Sequence, residues 1–269
     1  MKNDLELLID EDCPMCNMYG NYLAKNDLVC LNSYQNAVQQ KSNSVNYEKA
    51  KNQIALIDHK NNKTIYGLEA LYKAFEKKFP RLIGFLKLPL LAKIMPVVYA
   101  FISYNRKQIA PSASKICNPS FILKYRIAYL LFGLIISAFI FKIFCQKIIY
   151  DFIHLFSFNT ILFSLAMHFC FQFTILLKYK FEKRIDYLGN LCTVFIIGNL
   201  LLVPIVILNT ILELSNWIIA TYVLLLVGFL IRVHFKRCKM IEVGYLPTIS
   251  FIAFLFFIFS LKIFASIVL

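Results

Sequence analysis

The chain has 269 residues, 59% of them hydrophobic and only 16% charged, with a mean hydropathy of +0.64. Soluble globular domains run at about 45–50% apolar and about 25% charged, which excludes an ordinary soluble enzyme and a disordered chain and leaves an integral membrane protein. The formal charge of +14, from 29 Lys+Arg against 15 Asp+Glu, matches the Lys and Arg excess on cytoplasmic flanks of membrane helices, and no nucleic-acid partner is expected.

Charge and apolarity are unevenly spread. Residues 1–126 carry 18 Lys+Arg and 10 Asp+Glu, whereas residues 127–269 carry 11 and 5. The shift predicts a polar head over 1–115, a juxtamembrane linker over 116–126 around Pro119, and a transmembrane helical domain over 127–269. Met1–Asp4 is polar with no apolar h-region behind it, so no cleavable signal peptide is expected.

Within the head, Leu5–Ile9 is a short apolar run suited to a buried strand, ending in Asp10-Glu11-Asp12. Cys13-Pro14-Met15-Cys16 follows and opens a helical stretch to about Ala24. Leu28–Leu31 reads as a second strand. Ile54–Asp58 and Lys63–Tyr66 form a hairpin around Asn61-Asn62, a turn-favouring pair. Leu68–Lys78 is an amphipathic helix with Leu68, Leu71, Tyr72 and Phe75 on one face. Strand, C-x-x-C, helix, strand, hairpin, helix is the thioredoxin-like order in which a redox dithiol is mounted.

Thiol–disulfide exchange needs an exposed thiolate, and a helix N-terminus stabilises that anion. Pro14 suits the first helical position, where an N–H would have no partner. Cys13 is then the attacking thiol and Cys16, one turn inward, the resolving one. Negative charge at Asp10–Asp12 opposes a thiolate, so a mild pKa depression is expected. Two other readings of the pair stand beside this one: a zinc half-site, or two inert cysteines. Zinc usually takes four ligands, and Cys30, Cys117 and His59 supply no second spaced pair.

The run Leu8-Ile9-Asp10-Glu11-Asp12-Cys13-Pro14-Met15-Cys16 resembles the opening motif of the DCC family of predicted thiol-disulfide oxidoreductases. Ile57-Asp58, Tyr66-Gly67-Leu68-Glu69-Ala70, Leu88-Pro89 and Tyr99 followed by Asn105-Arg106 are similar to its later motifs. The resemblance covers about residues 5–110. It implies a thioredoxin-like fold with Cys13 and Cys16 as the redox pair, supported by Asp10, Asp12 and Pro14. Glu11 stands where the family has glycine.

The end of the head is basic, with Arg106 and Lys107 beside Arg81, Lys87 and Lys93. This reads as a patch facing anionic lipid, or alternatively as a substrate-anion site near the dithiol. Cys30, in a predicted strand, reads as a small buried residue. Cys145 and Cys238 fall at segment ends without partners.

Beyond the linker, five segments are long enough to cross a hydrocarbon core: Ile127–Phe144, Leu155–Leu177, Leu188–Leu212, Leu214–Ile231 and Tyr245–Leu269. Lys178, Lys180, Lys183 and Arg184 follow the second, and Arg232, Lys236, Arg237 and Lys239 follow the fourth. The positive-inside rule places the head and both basic links in the cytoplasm and the C-terminus outside. His168 and Gln172 share a helix face and read as ties between helices. Cys170 and Cys192 fall at similar depth in neighbouring helices, which raises a second dithiol as a sharper reading.

The function expected is a membrane-tethered thiol-disulfide oxidoreductase acting through Cys13 and Cys16 on a protein or small-molecule disulfide, with the lipid bilayer as its surroundings. No metal or organic cofactor is expected. The rival is a membrane transporter, or a regulatory or scaffold protein, with a redox-sensing, non-catalytic head.

Overall fold

A computed structural model describes residues 4–40, 45–112, 117–148 and 157–268. The chain divides into two compact units, Met1–Tyr125 and Arg126–Leu269.

The first unit carries a four-stranded sheet in the order β2-β1-β3-β4. The strands are β1 (Leu5–Ile9), β2 (Cys30–Ser33), β3 (Ala55–Asp58) and β4 (Lys63–Tyr66). β1 pairs parallel with β2 through α1 (Pro14–Lys25), and antiparallel with β3. β3 and β4 close the expected hairpin, where Asn62 takes φ 47° and Asp58 Oδ1 accepts from Asn61 N at 3.1 Å. α2 (Tyr34–Gln40), α3 (Tyr47–Ala50), α4 (Gly67–Glu76), α5 (Pro80–Leu86) and α6 (Pro89–Ile109) complete the unit. This is the thioredoxin-like arrangement. It works because β1 is apolar on both faces: Leu7 and Ile9 pack in a cluster with Leu23, Leu56 and Ala70, while Leu8 faces a second cluster with Tyr34, Ala37 and Ala55.

The sequence expected Cys30 to be buried; the structure exposes it. β2 is an edge strand and Cys30 is its first residue, so the side chain has no second layer to enter.

In the second unit, α7 (Leu123–Ile148), α8 (Phe158–Ile175), α9 (Phe181–Leu212) and α10 (Asn216–Met240) are each long and apolar enough to cross a membrane. α11 (Leu246–Val268) follows, an apolar helix over Leu246–Phe257. α5 and α6 of the first unit, bent by 92°, satisfy the same test only when taken together. α10 runs past its apolar stretch, so Arg232, Lys236, Arg237 and Lys239 stand on its last turns rather than in a link.

Polar groups join the helices. Tyr187 donates to Gln172 Oε1 at 3.0 Å, and its hydroxyl lies 3.0 Å from His234 Nε2. His234 Nδ1 lies 3.1 Å from Thr248 Oγ1, and Gln172 Nε2 lies 3.3 Å from His168. Arg237 donates to Asn190 Oδ1 at 3.0 Å, and Arg126 pairs with Asp186 at 2.9 Å. Cys238, expected without a partner, sits 3.6 Å from His234 Nδ1.

The second dithiol is not formed: Cys170 and Cys192 are both free. Cys192 is buried against α7, where its Sγ occupies the space a Cβ on Gly133 would take. Cys170 is exposed. Cys192 is thus a packing residue and Cys170 a surface one.

One backbone position in the first unit is testable. Gly67 opens α4 at φ +70°, and a Cβ there would stand 2.9 Å from Gln53 Oε1. Gly67→Ala therefore meets both a left-handed backbone and a contact, and should cost about 1–2 kcal/mol. The readout is the denaturant concentration at which Cys13 and Cys16 become reactive to a thiol reagent, which should fall. An unchanged midpoint would show that the turn tolerates a side chain.

Candidate functional site

Cys13 is the N-cap of α1, and its sulfur accepts from the Cys16 backbone N–H at 3.5 Å. Pro14 takes the first helical position, and the Cys13 N–H is satisfied by Asp10 O at 3.0 Å. The sequence therefore mounts its dithiol on the first turn of a helix, with the turn before it closed by its own backbone. Glu11 and Asp12 are exposed, whereas Asp10 is buried. Asp10 Oδ1 accepts from Gln35 Nε2 at 2.7 Å and from Asp12 N at 3.3 Å.

The two thiols are electrostatically unequal. Hydrogen bonding from the Cys16 side chain, helped by the Cys16 N–H and the Arg106 charge, pulls Cys13 down to about 6 against the opposing effects of burial and Asp10. Cys16 moves far above the ordinary thiol range, because it is the donor to Cys13 and is itself buried. The nearby Tyr19 hydroxyl, one turn along α1, pulls Cys16 the other way, downward. The acidic approach thus opposes the thiolate as the sequence suggests, and is outweighed.

Exposure differs from the expectation. Cys13 keeps 2% and Cys16 4% of its surface, and both belong to the apolar cluster around Leu7 and Ile9. The thiols are close to each other and covered.

Arg106 and Lys107 do not form an outward basic face. Arg106 is buried; its Nη2 donates to Lys51 O at 2.8 Å, to Cys117 O at 3.1 Å and to Cys117 Sγ at 3.1 Å. Lys107 is half-buried and donates to Asn118 Oδ1. α6 turns a polar stripe, Ser103, Asn105, Arg106 and Gln108, into the unit. A small cavity of about 10 Å³ is lined by Asp10, Cys16, Tyr19, Tyr34, Arg106 and Cys117. Sequence reading set Cys117 aside and missed Tyr19, although Tyr19 lies three residues from Cys16, on the same helix face.

Gln53 lines this cavity and also a larger open cleft of about 470 Å³, walled by Tyr66, Tyr72, Tyr99 and Tyr104. Tyr99 is fixed there by accepting from Ile54 N at 2.9 Å. Among the described residues, no three His, Cys, Asp or Glu side chains are grouped to hold a metal ion.

Residues 7–111 match the family described as DCC1-like thiol-disulfide oxidoreductase. Over that stretch the chain is similar to the DCC1-like family. No curated protein and no solved structure gives a significant match. The family supports a redox function for the first unit, and the match ends two residues beyond α6, so it includes Arg106 and stops short of Cys117.

The titration follows from the geometry. The thiolate absorbance near 240 nm, taken as wild type minus Cys13→Ser, should rise with a midpoint near pH 6, because the thiolate exists above the depressed pKa and is lost as pH falls through it. Arg106→Met should move that midpoint upward, and Arg106→Lys should move it less. A wild-type midpoint near a free thiol's ~8.5 would remove the Cys16 hydrogen bond and the Arg106 charge as causes.

Proposed function

We propose that the chain is a membrane-tethered thiol-disulfide oxidoreductase in which Cys13 attacks and Cys16 resolves. The unequal pair supports this reading most: one thiol held as an anion at neutral pH, and one held protonated beside it. The Cys13 thiolate attacks a substrate disulfide, forming a mixed disulfide and releasing one substrate thiolate. Cys16 then loses its proton and attacks the Cys13 sulfur. The second substrate thiolate leaves, and a Cys13–Cys16 disulfide remains. A stabilised Cys13 thiolate favours the dithiol form, so the oxidised site is the more reactive toward reductants.

Because Cys13 is covered, exchange requires local opening of the first unit or a substrate small enough to enter it. The cleft beside Gln53 is of the size that small-molecule sites occupy, about 300–1,000 Å³. The same covering favours the second reading, a redox sensor whose head changes state without turnover. Membrane tethering is supported by α7 to α10 and by their exposed apolar surface, with Phe132, Phe163, Leu200 and Leu224 all open. The basic residues after α8 and at the end of α10 support a cytoplasmic head and an outer C-terminus. The bilayer is then the bundle's partner, and a protein or small-molecule disulfide or dithiol is the head's.

Trapping tests the mechanism. The full-length Cys16→Ser protein should accumulate a mixed disulfide on Cys13 that reducing agent releases, and the wild type should turn over a model disulfide when a dithiol reductant is supplied. A trapped adduct without turnover would establish the sensor; no adduct on Cys13 would end both readings. Orientation is read separately, with a reporter after Leu269 active only outside the cytoplasm and one within Lys178–Tyr187 active only inside. Activity of both on one side would overturn the assigned topology.

A further inference from the structure

Cys117 is a nucleophile that the two-cysteine mechanism leaves idle, and its surroundings are built rather than incidental. Its side chain is 2% exposed. Its sulfur and its own carbonyl are both held by Arg106 Nη2, at 3.1 Å each. The segment that carries it is anchored on one side of the gap before β3: Ser120 N donates to Asn52 Oδ1 at 2.6 Å, and Asn52 Nδ2 reaches Ser120 Oγ at 3.1 Å. Cys117 lines the same small cavity as Cys16.

Two further groups in that cavity are unfinished. Asp10 Oδ2 and Arg106 Nε are both buried with no hydrogen-bond partner among the described residues, on side chains only 3% and 6% exposed. Among the described residues, no carboxylate stands within ion-pair distance of the Arg106 guanidinium. A buried cation without a carboxylate partner, and a buried carboxylate oxygen without a donor, are each costly. Cys16 and Cys117 line the cavity with them.

We propose that Cys117 is the third thiol of the redox site, exchanging internally with the Cys13–Cys16 disulfide to give a Cys16–Cys117 disulfide. The proposal rests on the Cys13–Cys16 reading above and extends it. The step balances without an outside oxidant. Cys117 gives its proton to Asp10, which lines the cavity and whose Oδ2 has no hydrogen-bond partner among the described residues. The Cys117 thiolate attacks the Cys16 sulfur, the Cys13–Cys16 bond breaks, and the electron pair leaves on Cys13. One disulfide is consumed and one formed, and Arg106 neutralises the anion at either end.

Direction follows from the leaving group. Burial pushes the Cys117 thiol up to about 11, whereas Cys13 is held at about 6. A sulfur that carries negative charge easily is the better leaving group, so the exchange yields the stabilised thiolate at Cys13. Access adds to this. Cys16 is too covered for an external thiol to reach without opening, but Cys117 is already inside. The product is a site in which Cys13 is free as a thiolate while the oxidising equivalent is stored behind it.

The experiment uses the full-length protein, oxidised with diamide, quenched in acid, alkylated and mapped by mass spectrometry. Wild type should contain two one-disulfide populations, Cys13–Cys16 with Cys117 alkylated, and Cys16–Cys117 with Cys13 alkylated. Cys13→Ser should oxidise to Cys16–Cys117 alone. Asp10→Asn should slow the interconversion of the two wild-type forms at least tenfold while leaving Cys13–Cys16 able to form. A wild type holding only Cys13–Cys16, together with a Cys13→Ser protein in which Cys16 and Cys117 both remain alkylatable, overturns the proposal and leaves the two-cysteine mechanism standing. Absence of any Cys13–Cys16 linkage would instead sink the underlying mechanism. A disulfide needs Cα atoms within about 7 Å, so the pairing also measures how far the cavity closes.

Discussion

A buried guanidinium with no carboxylate partner among the described residues organises the first unit. Burying a charge is costly unless hydrogen bonds and an opposite charge compensate it. Arg106 obtains the hydrogen bonds from main-chain carbonyls of two separate stretches, Lys51 and Cys117. That ties α6 to the turn before β3 and to the segment leaving the unit. The opposite charge is supplied by sulfur. Cys13 is lowered partly by Arg106, and the same cation would lose compensation if the thiolate were absent. Stability of the head and ionisation of its dithiol are thus one problem, with Arg106 at the centre of both.

The second unit handles its polar groups differently. His168, Gln172, Tyr187, His234 and Thr248 are bonded to one another across α8, α9, α10 and α11. Asn, Gln and His side chains that meet across helices tie a bundle together where lipid gives no hydrophobic driving force. Close approach adds to this at Gly133, where Cys192 fills the gap left by a missing side chain, and at Gly198 against Leu230. Within this network the polar side chains satisfy one another, whereas Asp10 Oδ2 and Arg106 Nε in the first unit are left without hydrogen-bond partners among the described residues.

Local signals were legible in the sequence because local physics fixes them. Cys13 as a helix cap, Pro14 at the first helical position and the Asn61-Asn62 hairpin each depend on residues within one turn. The apolar runs predicted the spanning helices, although α10 outlasts its run because Lys and Arg are good helix formers at a C-terminus. What the sequence hid depends on tertiary contacts. Arg106 reads as one more basic residue in a basic stretch, and only the packing of α6 turns it inward. Cys117 lies 101 residues from Cys16, a separation that no spacing rule addresses. Cys30 has the composition of a buried strand residue, but its strand is at the edge of the sheet, a fact of topology.

The burial of the dithiol sets the terms on which it can work. If opening the cover costs about 2.8 kcal/mol, roughly one molecule in a hundred is open at any time, and exchange with an outside disulfide slows by about that factor. A low Cys13 pKa recovers most of this, since it raises the thiolate fraction at neutral pH from a few per cent to nearly all, a gain of some tens. The two effects nearly cancel for an external partner. For a partner already inside, the opening cost vanishes and the thiolate gain remains. The geometry therefore favours chemistry between groups within the head over encounters from solution, and any outside substrate must bring enough binding energy to hold the head open.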